Sequence, residues 1–308
     1  MPSPDRSRRP QGEPSLSDRG AGPARGALLA LAVFVALGAL APWLARERPI
    51  ATLHPGGARR AVHAPIPYDP NGLRLSESLE PPSLRHPCGT DLLGRDLASR
   101  LLHGTRVALV VGAGSTLLAL LFGTALGGAA GLAGGAAEIA LGRVIEVFGC
   151  FPPLLLALAF QAAGRGTGLL ALILAIGLGR TAASARFLRG EVRRLRAAPF
   201  FTAARASGAS LPRAAWTHLG PILKGPLVVQ ATFGVSQALL LESGLSFLGL
   251  GVEPPTPSWG QMLGEARGTM TAAWWTVAFP ASALALTLIL LNVVPRLWQR
   301  KEVDNIAA

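Results

Sequence analysis

Charge, tyrosine, cysteine and lysine are all scarce in this 308-residue chain. Asp, Glu, Lys and Arg make up 15% of it, against about a quarter in an ordinary soluble domain. Too few groups remain to keep a surface wet, while 50% of the residues are hydrophobic and the mean hydropathy is +0.41. A soluble enzyme and a disordered protein are excluded on these grounds. The cysteines are Cys88, in a Pro-rich connector, and Cys150, in an apolar run. They form no CxxC pair, have no metal-ligand spacing, and cannot make a disulfide scaffold. The lysines are Lys224 and Lys301, and neither lies in the GxxxxGK[ST] context that a phosphate loop requires. HExxH and GxSxG are absent too. His54, His63, His86 and His103 share one long connector, but their spacing matches no metal-ligand pattern, so they read as loop histidines.

What the chain does have is long uncharged runs. About 18 or more apolar residues in succession read as a membrane-crossing helix. Such runs cover residues 26–45, 107–137, 147–164 and 268–295. Two more, 166–185 and 225–251, are interrupted once each, by Arg180 and Glu242. The expectation is an all-α polytopic membrane protein with six spans. Gly123, Gly127 and Gly131 repeat at four-residue spacing in the second span, which suits close packing of helices in lipid. A charged side chain within a span is a functional candidate by default. Glu242 is therefore a pathway or interface candidate, placed by helix rise near the outer boundary with a solvated or interface role. Arg180 and Arg186 are expected to snorkel to the cytoplasmic surface.

The charge that exists is concentrated. From Arg186 to Lys224 eight basic residues face the single acid Glu191, a net +7 of the chain's formal +12. This connector lies between two apolar segments, where the positive-inside rule places cytoplasmic loops. Its four aromatic residues, Phe187, Phe200, Phe201 and Trp216, make no regular aromatic–basic alternation, and nucleic acid is not an expected partner. Residues 1–25, rich in Pro, Ser, Gly and Arg, read as a disordered cytoplasmic tail. Residues 26–45 then form an uncleaved first span, ending in a Pro42-Trp43 interfacial anchor. Residues 46–106 form a long external connector, and 132–145 and 186–222 lie inside. The span-rich part, 107–295, is a five-helix core, and 296–308 is a cytoplasmic tail. Both termini are cytoplasmic in this topology.

The 186–222 connector has a readable local plan. Ala-rich residues 197–206 favour helix, and Gly208 can supply the positive φ of a helix stop. Residues 212–219 can form a second short helix with Pro212 in its first turn, and Pro221 opens the fifth span. The string from Thr202 to Pro221 resembles the EAA loop of ABC-importer permeases, with Ala203, Ala204, Gly208 and Pro221 at matching positions. Thr202 stands where that loop usually has Glu, and Gly220 where it has Leu. Three further strings resemble those of dipeptide and oligopeptide permeases. They are HPCGTDLLGRD at 86–96, FPPLL at 151–155, and SFLGLGV at 246–252 followed by PPTPSWG at 254–260. Their order and spacing match over residues 27–295. The family's GDxLRDxLDPR-like tail is missing.

On these strings the chain is identified as a member of the dipeptide/oligopeptide/nickel importer family, as its second, C-type permease. The resemblance implies the six-helix fold of a type I ABC-importer permease in the bacterial cytoplasmic (inner) membrane. It implies that Thr202, Ala203, Ala204, Gly208, His218 and Pro221 belong to an ATPase-coupling loop, and that Phe151 and Pro152 are pathway or interface candidates. Partners would be a sister permease, two ATP-binding subunits, an extracytoplasmic solute-binding protein and membrane lipid. The chain would bind no cofactor or metal, and ATP would be used by the partner subunits. The cargo would be peptides or similar small solutes, or nickel within the same family. A self-contained secondary transporter or channel is the alternative, but the inverted repeats such a protein would show are not found. The topology is testable by side-specific labelling in a background without native cysteine. A cysteine placed near Arg194 should react only from the cytoplasmic side, and one near Tyr68 only from outside. Labelling of both from one side would reject the six-span count.

Overall fold

A computed structural model describes residues 32, 35–46, 51–53, 60–62, 64–162 and 168–307. For 51–53, 60–62, 161–162 and 294–307 only the backbone is described. The expected tail at 1–25 and the start of the first span lie outside these residues, as do His54 and His63. Apart from helices, the regular elements of the described residues are one antiparallel pair of three-residue strands, β1 (Ala51–Leu53) and β2 (Arg60–Val62), and the connector from 64 to 96 is mostly turns and coil. The main helices are α1 (Val35–Leu44), α2 (Leu97–Ala133), α3 (Gly135–Gly149), α4 (Pro153–Ala162) and α5 (Leu169–Arg196). They continue with α6 (Pro199–Ala206), α7 (Leu211–Ala214), α8 (Gly220–Phe247), α9 (Trp259–Glu265) and α10 (Trp275–Ala307).

Three described helices are long and apolar enough to cross a membrane: α2, α5 and the Trp275–Val293 part of α10. The α3–α4 pair makes a fourth if counted as one span, bent by 71°. This bend corrects the expected straight third span at 147–164 and the loop expected at 132–145. Gly134 and Gly135 take positive φ (70° and 58°) and turn the chain, so that helix restarts at once. The break that follows falls at Pro152-Pro153, where the chain loses two successive backbone donors. The connector assigned to 46–106 ends early as well, because α2 begins at Leu97. Its N-cap is Asp96, whose carboxylate accepts from Ser99 N at 2.7 Å. The tail at 296–308 is not a separate segment either: α10 runs on through it to Ala307.

The centre of the bundle is the α2–α5 contact, and the small residues make it. Gly123, Gly127 and Gly131 all face α5. A Cβ at 123 would lie 2.5 Å from Ser184 Cβ, one at 131 would lie 2.7 Å from Val192 Cβ, and one at 127 would overlap the Ala185 carbonyl. Around this seam Val111, Leu172, Ile176, Ala238 and Leu245 build an apolar core from α2, α5 and α8. The arginines at the end of α5 are not a free cytoplasmic loop, since they belong to its last turns and grip α3. Arg193 Nε and Arg189 Nη2 reach Glu138 Oε1 at 3.1 and 3.6 Å, and the Arg186 guanidinium covers Gly149.

The opposite end is fastened by the sequence strings already noted. His86 Nδ1 lies 2.8 Å from Asp96 Oδ2, and its Nε2 lies 3.5 Å from Glu77 Oε2. Trp275 Nε1 donates to Thr90 O at 3.1 Å, and Trp259 Nε1 to Leu101 O at 3.0 Å. Arg95 and Arg100 both donate to Glu265 Oε2, at 2.6 and 3.1 Å. The HPCGTDLLGRD and PSWG strings are therefore two halves of one clamp that ties the connector and the head of α2 to α9 and α10. Burial, with the Asp96 charge adding, pushes the Cys88 thiol within this clamp up to about 11, so it stays protonated at neutral pH.

The α2–α5 seam leaves no room for a side chain at position 127. Gly127→Leu should destabilise the isolated protein by about 1–3 kcal/mol through overpacking, read as a lowered thermal midpoint in detergent. Gly190→Ala, with nothing within 4 Å of the added Cβ, is the control and should leave the midpoint nearly unchanged.

Candidate functional site: the loop between α5 and α8

The segment from Ala198 to Pro221 is a compact helix–turn–helix resting on the last turns of α5. Pro199 occupies the first position of α6, where its missing N–H costs no hydrogen bond. Phe201 points inward and is buried with Leu188, Val192, Leu195, Ala214 and Leu219. That anchor turns the opposite face of α6 outward, and Thr202 and Ala203 are exposed on it while Ala204 is half-buried. Gly208 ends the helix with φ +87°, and nothing lies within 4 Å of where its Cβ would be. Its role is therefore conformational rather than steric. Ala209 N donates to Ala204 O at 3.2 Å, and Arg205 Nη1 donates to Ala209 O at 2.5 Å, holding the turn closed.

The second half departs from the expected short helix at 212–219. The α-helix is a single turn, α7, with Pro212 near its start as expected. A π-helical turn, Ala215–Leu219, follows and runs without a break into α8. Pro221 is the second residue of α8, where a proline is tolerated. His218 and Pro221 are exposed beside this turn. Thr202, Ala203, Gly208, His218 and Pro221 are thus all exposed on this helix–turn–helix, whose surface is made of small and polar groups. No acidic residue occurs between Arg193 and Pro221, so that surface is positive. A surface of this kind can seat in a groove on another protein, and its rigid backing on α5 would carry a displacement into the helix bundle.

The other candidates lie elsewhere. Phe151 is 55% exposed at the α3–α4 bend, next to Pro152. Glu242 is not solvated as expected. It is 1% exposed and accepts from Ser246 Oγ at 2.7 Å and Ser243 Oγ at 3.2 Å, with the Ser258 hydroxyl as a third partner. Ser258 also caps α9 by accepting from Gln261 N at 3.2 Å. Glu242 therefore knots the end of α8 to the start of α9 and lines no open surface of this chain. Arg180 does not snorkel either. It is 4% exposed, and its Nη1 and Nη2 donate to Gly234 O at 2.7 Å and Gln237 Oε1 at 3.2 Å, joining α5 to α8. Snorkelling needs a path along lipid, and α8 closes that path. Among the described histidines, His86 is held by the clamp and His103 Nδ1 lies 3.0 Å from Ser99 O.

Reading the sequence missed Glu265, Trp259 and Trp275 as clamp residues, although Trp259 stood in a quoted string. Their partners are more than 150 residues away in the chain, and no local pattern announces such a pairing.

Comparison with known proteins gives concordant findings. Residues 119–301 match the family described as "Binding-protein-dependent transport system inner membrane component". Over 242 residues the chain is 38% identical to the di/tripeptide transport system permease protein DppC of Pseudomonas aeruginosa, covering 76% of this chain and 80% of that one. It is 39% identical over 229 residues to the nickel transport system permease protein NikC of Escherichia coli K12, covering 74% and 82%. It is 36% identical over 233 residues to the glutathione transport system permease protein GsiD of Pectobacterium atrosepticum, covering 74% and 76%. Among solved structures, a chain of the inward-facing MetNI methionine ABC transporter superposes with a TM-score of 0.57 at 18% identity. That match covers 67% of this chain and 97% of the other, and establishes a shared fold.

Proposed function

Since this chain belongs to the family of binding-protein-dependent transport system inner membrane components, we propose that it is one half of the membrane channel of an ATP-driven importer. A permease of this family transports and is not itself a catalyst. A sister permease completes the pathway, two ATP-binding subunits hydrolyse ATP, and an extracytoplasmic solute-binding protein delivers the cargo. The chain crosses the inner membrane six times with both termini in the cytoplasm, and the net +7 of the Arg186–Lys224 segment supports that orientation. It binds no cofactor of its own, in keeping with its lack of a phosphate loop. The cargo is a peptide or a similar small solute. Relatives named for peptides, nickel and glutathione are about equally similar, so nickel is the second reading.

The observation that carries this reading is the loop from Ala198 to Pro221, exposed on one face and anchored by Phe201 on the other. Thr202, Ala203, Ala204, Gly208, His218 and Pro221 form the surface that meets the ATPase. Closure of the ATPase dimer pushes this loop, and the push passes through Phe201 and Leu219 into α5 and α8. Coupling then depends on Gly208, because its φ of +87° lies where a β-branched residue is strained by about 1–3 kcal/mol.

Gly208→Val should reduce substrate-dependent ATP hydrolysis by the whole complex at least tenfold, with membrane insertion intact. Thr202→Glu should leave hydrolysis unchanged or raise it, because it restores the acid usual in the family. Full coupled transport by the Gly208→Val complex would reject the assignment of this loop.

A further inference from the structure

Beneath the coupling loop, where it meets α2, α5 and α8, lies a cavity of about 560 Å³ open to the surface. Its walls are apolar, formed chiefly by Leu132 of α2, Leu188 and Val192 of α5, and Leu223 and Leu227 of α8. From Leu219, the last residue of the π-helical turn, to Leu227 of α8 the lining covers roughly 12 Å of helix. Gly128 keeps the groove open on the α2 side: a Cβ there would meet only Leu188 Cδ2, at 4.0 Å. Trp216, 85% exposed, stands at the rim with Lys224.

The cations near this groove divide into two sets. Arg189, Arg193 and Arg194 are in ion pairs, and Arg196 and Arg205 donate to the backbone carbonyls of Gly131 and Ala209. Lys224 on the rim and Arg213, the neighbour of lining residue Pro212, make no ion pair or hydrogen bond among the described residues. No acidic residue lines the groove. An apolar slot continuous with two helices of membrane-crossing length, bearing unpaired cations and a tryptophan at its rim, matches the two ends of one kind of molecule. We propose that the groove holds one acyl chain of an anionic phospholipid, whose headgroup phosphate is bound by Lys224, while Arg213, about three turns earlier on the same helical run, adds positive potential at the rim. The occupied groove braces the underside of the coupling loop, so the lipid acts on the stiffness with which that loop transmits force.

Native mass spectrometry of the complete permease–ATPase complex, titrated with phosphatidylglycerol or phosphatidylcholine, tests this. We expect one phosphatidylglycerol per copy of this chain, held about tenfold more tightly than phosphatidylcholine. Lys224→Gln with Arg213→Gln should erase the preference, and Gly128→Leu, which fills the slot, should weaken both lipids. An unchanged preference in the double variant, or unchanged lipid retention in Gly128→Leu, overturns the proposal. Release of the lipid when ATPase subunits bind overturns it as well, because the groove would then be their seat. Quenching of Trp216 by brominated phosphatidylglycerol, taken as wild type minus Trp216→Phe, needs no substitution in the walls. It should exceed the quenching by brominated phosphatidylcholine, and equal quenching counts against the lipid. None of these readouts uses transport, so their failure leaves the importer assignment standing.

Discussion

The close approach of α2 and α5 is the constraint on which the rest depends. Lipid provides no hydrophobic drive between helices, so packing has to come from van der Waals contact, and that requires backbones close together. Gly123, Gly127 and Gly131 remove the side chains that would hold the two helices apart, and Ser184 and Ala185 meet them with little bulk. Once α5 is fixed, its last turns present Leu188, Val192 and Leu195 as the platform for Phe201. Its arginines reach Glu138 and hold α3, and Arg180 reaches α8. The position of the loop between α5 and α8 is thus inherited from a seam that begins near the middle of the bundle.

The two ends of the bundle are stabilised by different chemistry. At the connector end, charge and indole donors do the fastening: Glu265 gathers Arg95 and Arg100, and Glu242 gathers serine hydroxyls. Glu242, 1% exposed, is tolerated because each of its oxygens finds a hydroxyl donor, and removing those donors would leave the group unsatisfied at high cost. At the opposite end the loop rests on apolar contacts around Phe201, the α5 arginines bind Glu138 on α3, and the exposed surface is basic.

Much of this was legible in the sequence because it depends on local rules. The positive φ of Gly208, Pro212 and Pro221 in first turns, and the four-residue spacing of small groups follow from what each residue type permits. The departures share one cause, since each depends on contacts distant in the chain. Arg180 could snorkel only if α8 left lipid beside it, and Gly234 instead offers a carbonyl. Glu242 looked close enough to the boundary for water to reach it, yet Ser258 arrives from the next helix and seals it. The bend at Pro152-Pro153 was overlooked because the run around it is uniformly apolar, and hydropathy does not register a missing backbone donor. The clamp strings were readable as a resemblance, but which indole meets which carbonyl was not.

The central claim is that force enters this chain through the exposed face of α6. Disulfide cross-linking tests it most directly. Cysteine at Ala203, which is exposed and contributes no anchor contact, would be paired with cysteines scanned across the ATPase surface in the assembled complex. The account predicts a strong cross-link at position 203 whose yield changes when ATP is bound. Absence of any cross-link at 203, with efficient cross-links from the clamp end instead, would contradict it.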